Sequence, residues 1–175
     1  MPSPIDDFKA KLSGGGARAN LFRVTINWPS FTQGNAELSS FLIKGASIPG
    51  SSIGMIDIPF RGRTAKFAGD REPTENWTTT IINDTNFAIR NALERWHNRI
   101  NSNITNVGTQ DPEEYMSDLI VEQLDKSDNV LKTYNLRGAW PATISPIELS
   151  ADTQNAIEEY TCDWAYQYWD ADTVS

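Results

Sequence analysis

The residues that most often carry catalytic chemistry are scarce in this chain. It contains one histidine, His97, and one cysteine, Cys162. A Ser-His-Asp or Cys-His catalytic site would therefore have to use His97. His97 falls on the arginine-rich face of a predicted helix, which is typical of a solvated polar side chain. The single Cys162 excludes an internal disulfide and a cysteine-based zinc site.

The acidic residues do not single out a catalytic or metal-binding pair. Glu158 and Glu159 are adjacent on a predicted strand and therefore point to opposite faces of it. Glu113-Glu114 fits a helix start, and Asp70-Arg71-Glu72 is typical of a charged turn. A carboxylate pair of the glycosidase type stays open, because its spacing is three-dimensional, but the sequence selects none. We predict a chain that is not an enzyme and holds no cofactor and no metal.

Length and composition indicate one soluble domain. The 175 residues are 39% hydrophobic and include six Trp, enough for a core without disulfides or metals. No apolar run approaches the roughly 20 residues of a membrane span, and Met1–Lys11 lacks the apolar segment of a secretory signal. The net charge of −8 argues against DNA binding. One dense basic stretch is typical of a solvated strand edge or a protein interface: Arg61, Arg63, Lys66 and Arg71.

Hydrophobic periodicity divides the chain into an arm, a domain and a tail. We predict a flexible N-terminal arm over residues 1–19, which ends in a glycine triplet, a β domain over 20–170, and a short C-terminal tail over 171–175. Alternation predicts strands at Phe22–Trp28, Ser39–Ala46, Ile53–Phe60, Arg63–Ala68, Trp77–Asn83, Asp118–Leu124, Val130–Gly138, Ile147–Ala151 and Tyr160–Tyr168. We expect the strands Ser39–Ala46 and Ile53–Phe60 to pair across a protruding Pro-Gly turn.

One helix interrupts the strands. Apolar residues recur every three or four positions over Asp84–Ile100 and form a single stripe: Ile89, Leu93, Trp96 and Ile100. Asp84 or Thr85 can cap the helix. The fold class that follows is mainly β: a β-sandwich or partly closed barrel with one flanking α-helix.

Several segments in this order resemble the tail tube protein family of contractile-tailed bacteriophages. The segments, which span roughly Asn20 to Trp169, are Asn20-Leu21-Phe22-Arg23-Val24, Ala46-Ser47-Ile48-Pro49-Gly50, Ile58-Pro59-Phe60-Arg61-Gly62-Arg63, Ala68-Gly69-Asp70-Arg71, the run Trp77–Asp84 before the helix, and Gly138-Ala139-Trp140-Pro141. The Gly-Asp-Arg turn followed by the Trp strand is the most specific part.

The resemblance implies identical subunits in rings, usually hexamers, that stack into a hollow tube inside a contractile sheath. Strands of all subunits would join one continuous inner barrel. The implied partners are further copies of the chain, the tail sheath protein, and the baseplate and tail terminator proteins, with no membrane. DNA would pass through the lumen without specific binding. The implied location is the virion tail, assembled in the host cytoplasm.

Two alternatives stay open. The first is the tube of a type VI secretion system or of an extracellular contractile injection system, which looks similar. The second is a carbohydrate-binding or hydrolase β-sandwich, because Trp side chains can stack on sugars. Most Trp residues here occupy alternating or helical-stripe positions, where core packing is the commoner role.

Three surfaces follow from the resemblance and the strand patterns. The predicted lumen-facing residues are Thr78, Thr80, Asp118, Glu122, Asp57 and Lys44. The predicted ring-stacking residues are Ile48, Pro49, Ile53 and Met55. The predicted sheath-facing residues on the exposed side of the helix are Arg90, Arg95 and Arg99.

Overall fold

The computed structural model describes residues 3–72 and 75–173 and confirms a mainly β fold with a helix on its flank. The strands are β1 Phe22–Ile26, β2 Ile43–Gly45, β3 Ile53–Phe60, β4 Arg63–Arg71, β5 Trp77–Ile82, β6 Ser117–Leu124, β7 Val130–Ile144, β8 Glu159–Ala165 and β9 Tyr168–Ala171. The helices are α1 Pro4–Lys11, α2 Ala36–Leu42, α3 Ala88–Ile100 and α4 Pro112–Tyr115.

Seven strands form one antiparallel sheet that folds over on itself. Its order is β1-β6-β7-β8-β5-β2, and β9 pairs with β7. The first part of β7 pairs with β6 and β9, and the part from Trp140 onward pairs with β8. Gly138, with φ of +60°, lies where the partner changes. We call β1, β6, β9 and the first part of β7 the first layer, and β2, β5, β8 and the rest of β7 the second layer.

One core lies between these layers and α3. Strand alternation turns Leu119 and Leu136 of the first layer and Ile81 and Trp164 of the second layer inward, and all four are fully buried. Trp96 of α3 completes the core. Its ring lies 5.8 Å from that of Trp28 and 5.6 Å from that of Trp164. The indole N–H of Trp96 donates to the carbonyl of Tyr115 at 2.7 Å, so this buried donor is satisfied.

The sequence places the start of α3 four residues too early. The helix begins at Ala88, and the Asp84 carboxylate accepts a hydrogen bond from the Ala88 N–H at 2.9 Å. Asp84 therefore caps the helix although it lies four residues before Ala88. Phe87, directly before the helix, has a left-handed backbone with φ of +53°. The apolar stripe is as expected: Ile89, Leu93 and Trp96 are buried together with Ala92, and Ile100 is partly buried against the core.

The predicted strand Ser39–Ala46 is wrong over most of its length. The Asn35 side chain accepts from the Leu38 N–H at 3.0 Å and caps α2, which runs to Leu42. Only Ile43–Gly45 is a strand, and it pairs with β5 rather than with β3.

Other strand predictions also need correction, and the first is Arg63–Ala68, because β4 continues through the predicted Gly-Asp-Arg turn to Arg71. β7 does not end at Gly138 but continues to Ile144, with a register shift near Pro141 that accommodates its missing N–H. The run Tyr160–Tyr168 is two strands, because the chain turns between β8 and β9. The run Ile147–Ala151 lies in irregular chain between β7 and β8.

The predicted arm carries a short helix of its own. The Ser3 side chain caps α1, and no residue of α1 is buried. Gly14, Gly15 and Gly16 follow with φ of +63°, +77° and +84°. At the other end, Ala171 is buried and paired in β9, so the predicted tail begins inside the sheet. The predicted arm and tail also include residues 1–2 and 174–175, which lie outside the described residues.

Candidate assembly surfaces

The strands β3 and β4 form a hairpin that is separate from the main sheet. They pair with each other across the two-residue turn Arg61-Gly62, where φ is +47° and +79°. At the base, the Ser52 hydroxyl donates to the Glu72 carboxylate at 2.5 Å, and Arg71 donates to Ser51. An isolated two-stranded hairpin is only marginally stable in water, so burial of this one against another surface would stabilise it.

One side of the hairpin is apolar and open. The register places Ile56, Ile58 and Phe60 of β3 on the same side as Phe67 of β4. These four side chains, which we call the apolar face, are between 49% and 64% exposed. A contiguous exposed apolar surface of this kind marks an interaction site.

The opposite side of the hairpin is polar. It carries Met55 together with Asp57 and Lys66, whose charged groups are 3.0 Å apart. The predicted lumen residue Asp57 and the predicted stacking residue Met55 therefore share this side. The apolar face itself was missed by the sequence reasoning. The signal was the Arg61-Gly62 turn between two alternating strands, which predicts that they pair with each other.

The predicted ring-stacking residues do not form one surface. Residues 47–50 are tied to the sheet, because the indole N–H groups of Trp77 and Trp169 donate to the carbonyls of Ser47 and Gly50 at 2.7 and 2.9 Å. Pro49 is buried there, while Ile48 is half exposed. The protruding element is the hairpin rather than this turn, with Ile53 at its base.

The predicted lumen residues are divided between the two layers. In β5, Trp77, Thr79 and Ile81 are buried and Thr78 and Thr80 point outward. In β6, Leu119 and Val121 are buried and Asp118 and Glu122 point outward. The two layers pack on one core, so their outward faces look to different sides of the protomer.

Ion pairs offset most of the charge on the outward face of the first layer. Arg137 lies between Asp118 and Asp170, at 2.7 and 2.6 Å, and Arg23 contacts Glu122 at 2.7 Å. The Arg137 guanidinium lowers the pKa of the Asp170 carboxyl, and the two carboxylates raise the pKa of Arg137. This face therefore presents two arginines against three carboxylates.

Threonines and acids dominate the outward face of the second layer. The register places Asp163, Thr161 and Glu159 of β8 beside the outward positions of β5. The Thr78 hydroxyl donates to Asp163 at 2.6 Å. The Lys44 ammonium of β2 lies 2.5 Å from the Glu159 carboxylate. Glu159 belongs to β8, which is separated from β2 by β5, so the acid is not on the adjacent strand.

The three predicted sheath-facing arginines have different environments. Arg90 is only 18% exposed, donates to the Ser145 carbonyl at 2.7 Å and lies over the Tyr160 ring. It attaches α3 to the sheet and does not present a free cation. Arg95 and Arg99 are exposed and line an open groove of about 570 Å³ between α3 and the loop before α4.

His97 is not the solvated residue that the sequence indicates. It is half buried, and its Nε2 lies 3.0 Å from the Pro141 carbonyl of β7, which can only accept. Burial lowers the pKa of His97 below its usual value of 6.5, so the ring is neutral at pH 7.

We expect His97 to make the folded state less stable in mild acid. The unfolded chain binds a proton at His97 near pH 6.5, whereas the folded chain binds it only at lower pH. The free energy of unfolding therefore has its full value above pH 6.5 and decreases as the pH falls through the pKa of His97 in the folded chain. His97→Gln keeps a donor toward Pro141 and removes the titration. Urea unfolding of both chains from pH 7.5 to 5.5 should show a steeper loss for His97, by at most about 1.4 kcal/mol per pH unit. Equal slopes would contradict this assignment.

The described ranges contain no group of His, Cys, Asp and Glu that could hold a metal ion, and no helix there is long and apolar enough to cross a membrane. Cys162 is buried, and burial raises the pKa of its thiol. Trp77, Trp96 and Trp164 are buried in the core and unavailable for stacking on sugars.

Comparison with known proteins identifies the family. Residues 17–172 match the family described as "Phage tail tube protein". The chain is 34% identical over 166 residues to the "Tail tube protein" of Serratia phage KSP90, with 93% of each chain covered. It is 29% identical over 170 residues to "Tail tube protein gp19" of Enterobacteria phage T4, covering 95% of this chain and 99% of the other.

A solved structure agrees in fold. It is the PVC sheath-tube complex of an extracellular contractile injection system in the extended state. The TM-score is 0.58 at 17% identity, with 98% of this chain and 99% of that chain covered. The β fold, the match over most of the chain and the identity to phage proteins agree, and this chain belongs to the phage tail tube protein family.

Proposed function

We propose that this chain is the structural subunit of a phage tail tube, in which hexameric rings of identical copies stack into a hollow conduit for DNA inside a contractile sheath. The observation that carries the proposal is the apolar face of the β3–β4 hairpin. Four large apolar side chains stay open to solvent on a chain of the tail tube family. In an assembly a neighbouring copy covers them, which stabilises the contact by about 25 cal/mol per Å² of apolar surface.

The bore is lined by the outward face of the second layer. α3 packs on the core-facing side of the second layer, where Trp96 contacts Trp164. The outward face of that layer therefore points away from α3. With α3 on the outside of the ring, Lys44, Thr78 and Thr80 face the lumen. Asp118 and Glu122 belong to the first layer and are left out of the bore.

This face suits the passage of DNA without binding. Among the outward positions of β2, β5 and β8 in the described chain, the cation Lys44 is paired with Glu159, and the register adds threonines, Ile82 and the acid Asp163. Phosphate binding depends on Lys and Arg side chains that are free to contact the backbone. A neutral to acidic lumen therefore does not retain the nucleic acid.

The outer wall carries Arg95 and Arg99, which we propose contact the tail sheath protein. Both line the open groove beside α3, and Arg99 also contacts Glu114 at 3.2 Å. Exposed ion pairs contribute only about 0–1 kcal/mol each, which suits a sheath that slides off on contraction. The similar PVC chain comes from a sheath-tube complex, which supports a sheath partner.

The arm and the ends of the tube complete the proposal. Ile5 and Phe8 of α1 and Leu12 directly after it are exposed and spaced three and four residues apart, so the arm orders against a neighbouring ring. Baseplate and terminator proteins cap the two ends of the tube. The chain is a virion component, assembled in the host cytoplasm, and does not catalyse a reaction.

Negative-stain microscopy of the purified chain at high concentration tests the proposal. We expect rings with six-fold symmetry and tubes built from them, together with species larger than the monomer in sedimentation velocity. Rings of another symmetry would contradict the hexamer. A chain that stays monomeric at every concentration tested would contradict the tube function.

A further inference from the structure

Charge is distributed very unevenly along this chain. After Arg137 there is no Lys, Arg or His, while seven acids follow, so residues 138–175 carry −7 of the net −8. The acids are Glu148, Asp152, Glu158, Glu159, Asp163, Asp170 and Asp172. The hairpin is the opposite: Ile53–Arg71 contains four basic and two acidic residues, 4 − 2 = +2.

Part of this acidic region is an exposed loop with apolar side chains. Residues 145–158 connect β7 to β8 without a helix or strand, and we call them the acidic loop. Leu149 is 79% exposed and Ile157 is 71% exposed. Within the described ranges, neither Glu148 nor Asp152 has a basic group within 4 Å.

The tip of the hairpin offers the complementary chemistry. Arg61 lies over the ring of Phe60 at 5.1 Å, at the end of the apolar face, and Arg63 shares that side of the hairpin. Of the carboxylates in the described part of the chain, none lies within 4 Å of either guanidinium. Hairpin and loop are thus two open surfaces, each apolar, with unpaired charges of opposite sign.

We propose that the apolar face and the arginine tip of one copy bind the acidic loop of a neighbouring copy. Leu149 and Ile157 cover the apolar face, and Glu148 and Asp152 pair with Arg61 and Arg63. The two surfaces differ, so the contact is heterologous and repeats from copy to copy into a ring or filament. The charges fix which surfaces meet and disfavour hairpin-to-hairpin and loop-to-loop contacts by like-charge repulsion. The inference rests on the proposed assembly of this chain and names the surface used.

Charge reversal tests the pairing. Arg61→Glu with Arg63→Glu, or Glu148→Lys with Asp152→Lys, should each raise the concentration needed for assembly by roughly ten-fold or more. The chain with all four changes should assemble again, because the signs are exchanged together. Single Arg63→Glu and single Lys126→Glu change the net charge equally, and only Arg63→Glu should weaken assembly. Sedimentation velocity measures all five chains at one ionic strength.

Cysteine cross-linking provides a second measurement that does not depend on the variant with all four charge changes. In Arg63→Cys with Glu148→Cys, mild oxidation of the assembled chain should give a ladder of covalent multimers on a denaturing gel. Either single variant should run as a monomer on the same gel, because the natural Cys162 is buried and cannot form the second half of a disulfide.

The outcomes separate this contact from the assembly itself. Restored assembly in the variant with all four charge changes, or covalent multimers in the double-cysteine chain, supports the contact. Dimers from Arg63→Cys alone would show that hairpins meet each other and would overturn it. Tubes with neither rescue nor ladder would overturn the contact and leave the tube function standing, whereas an original chain that forms no rings contradicts the tube function.

Discussion

Ile56→Asp is expected to abolish assembly while leaving the subunit folded. Ile56 is 51% exposed on the apolar face, so its replacement removes no core packing. In the assembled tube the same aspartate would be a buried carboxylate without a partner, which is strongly unfavourable. We expect a monomer in sedimentation velocity, no rings in negative stain, and a free energy of unfolding within about 1 kcal/mol of the original chain.

Met55→Asp is the matched control. Met55 is the preceding residue of β3 and also exposed, so it carries the same loss of strand propensity, but it points to the polar side of the hairpin. We expect this chain to assemble as the original does, because Met55, although the sequence predicts it to be a ring-stacking residue, lies on the side of the hairpin away from the apolar face. Assembly of Ile56→Asp, or equal loss in both variants, would contradict the role of the apolar face.

Trp96→Ala is expected to lower the free energy of unfolding by about 3–5 kcal/mol. Trp96 is fully buried between Trp28 and Trp164, so truncation leaves a cavity that the two rings cannot fill. It also removes the donor that satisfies the Tyr115 carbonyl. Urea unfolding followed by circular dichroism, at concentrations where the chain is monomeric, measures the loss.

Phe41→Ala gives the comparison for an aromatic side chain outside the core. Phe41 is among the most exposed aromatic residues of the described chain, and we expect its truncation to change stability by less than about 0.5 kcal/mol. A loss below about 1 kcal/mol for Trp96→Ala would show that the core can close around the missing indole.

The sequence predicts the elements that bury one face. In β5 and β6 every second residue enters the core, so the period of two is visible and the outward residues follow from it. The stripe of α3 is visible for the same reason. The family resemblance adds what periodicity cannot provide, namely that copies of the chain assemble into a tube.

Strand pairing and short capped elements are harder to predict. The Asn35 cap makes a helix of residues that look strand-like, and this places β2 beside β5 instead of β3. The sequence did not show that the predicted lumen residues belong to two layers, because alternation indicates which side of a strand is buried but not which layer the strand belongs to. The half-buried His97 was missed because its hydrogen bond to Pro141 joins residues 44 positions apart.

The strand β7 makes the two layers one mechanical unit. It passes without interruption from hydrogen bonds with β6 to hydrogen bonds with β8, with Gly138 at the crossing. Force applied to the first layer is therefore transmitted to the second by the backbone and hydrogen bonds of β7, as well as by side-chain contacts across the core. The two layers of a subunit therefore separate only if the hydrogen bonds of β7 with β6 or with β8 break.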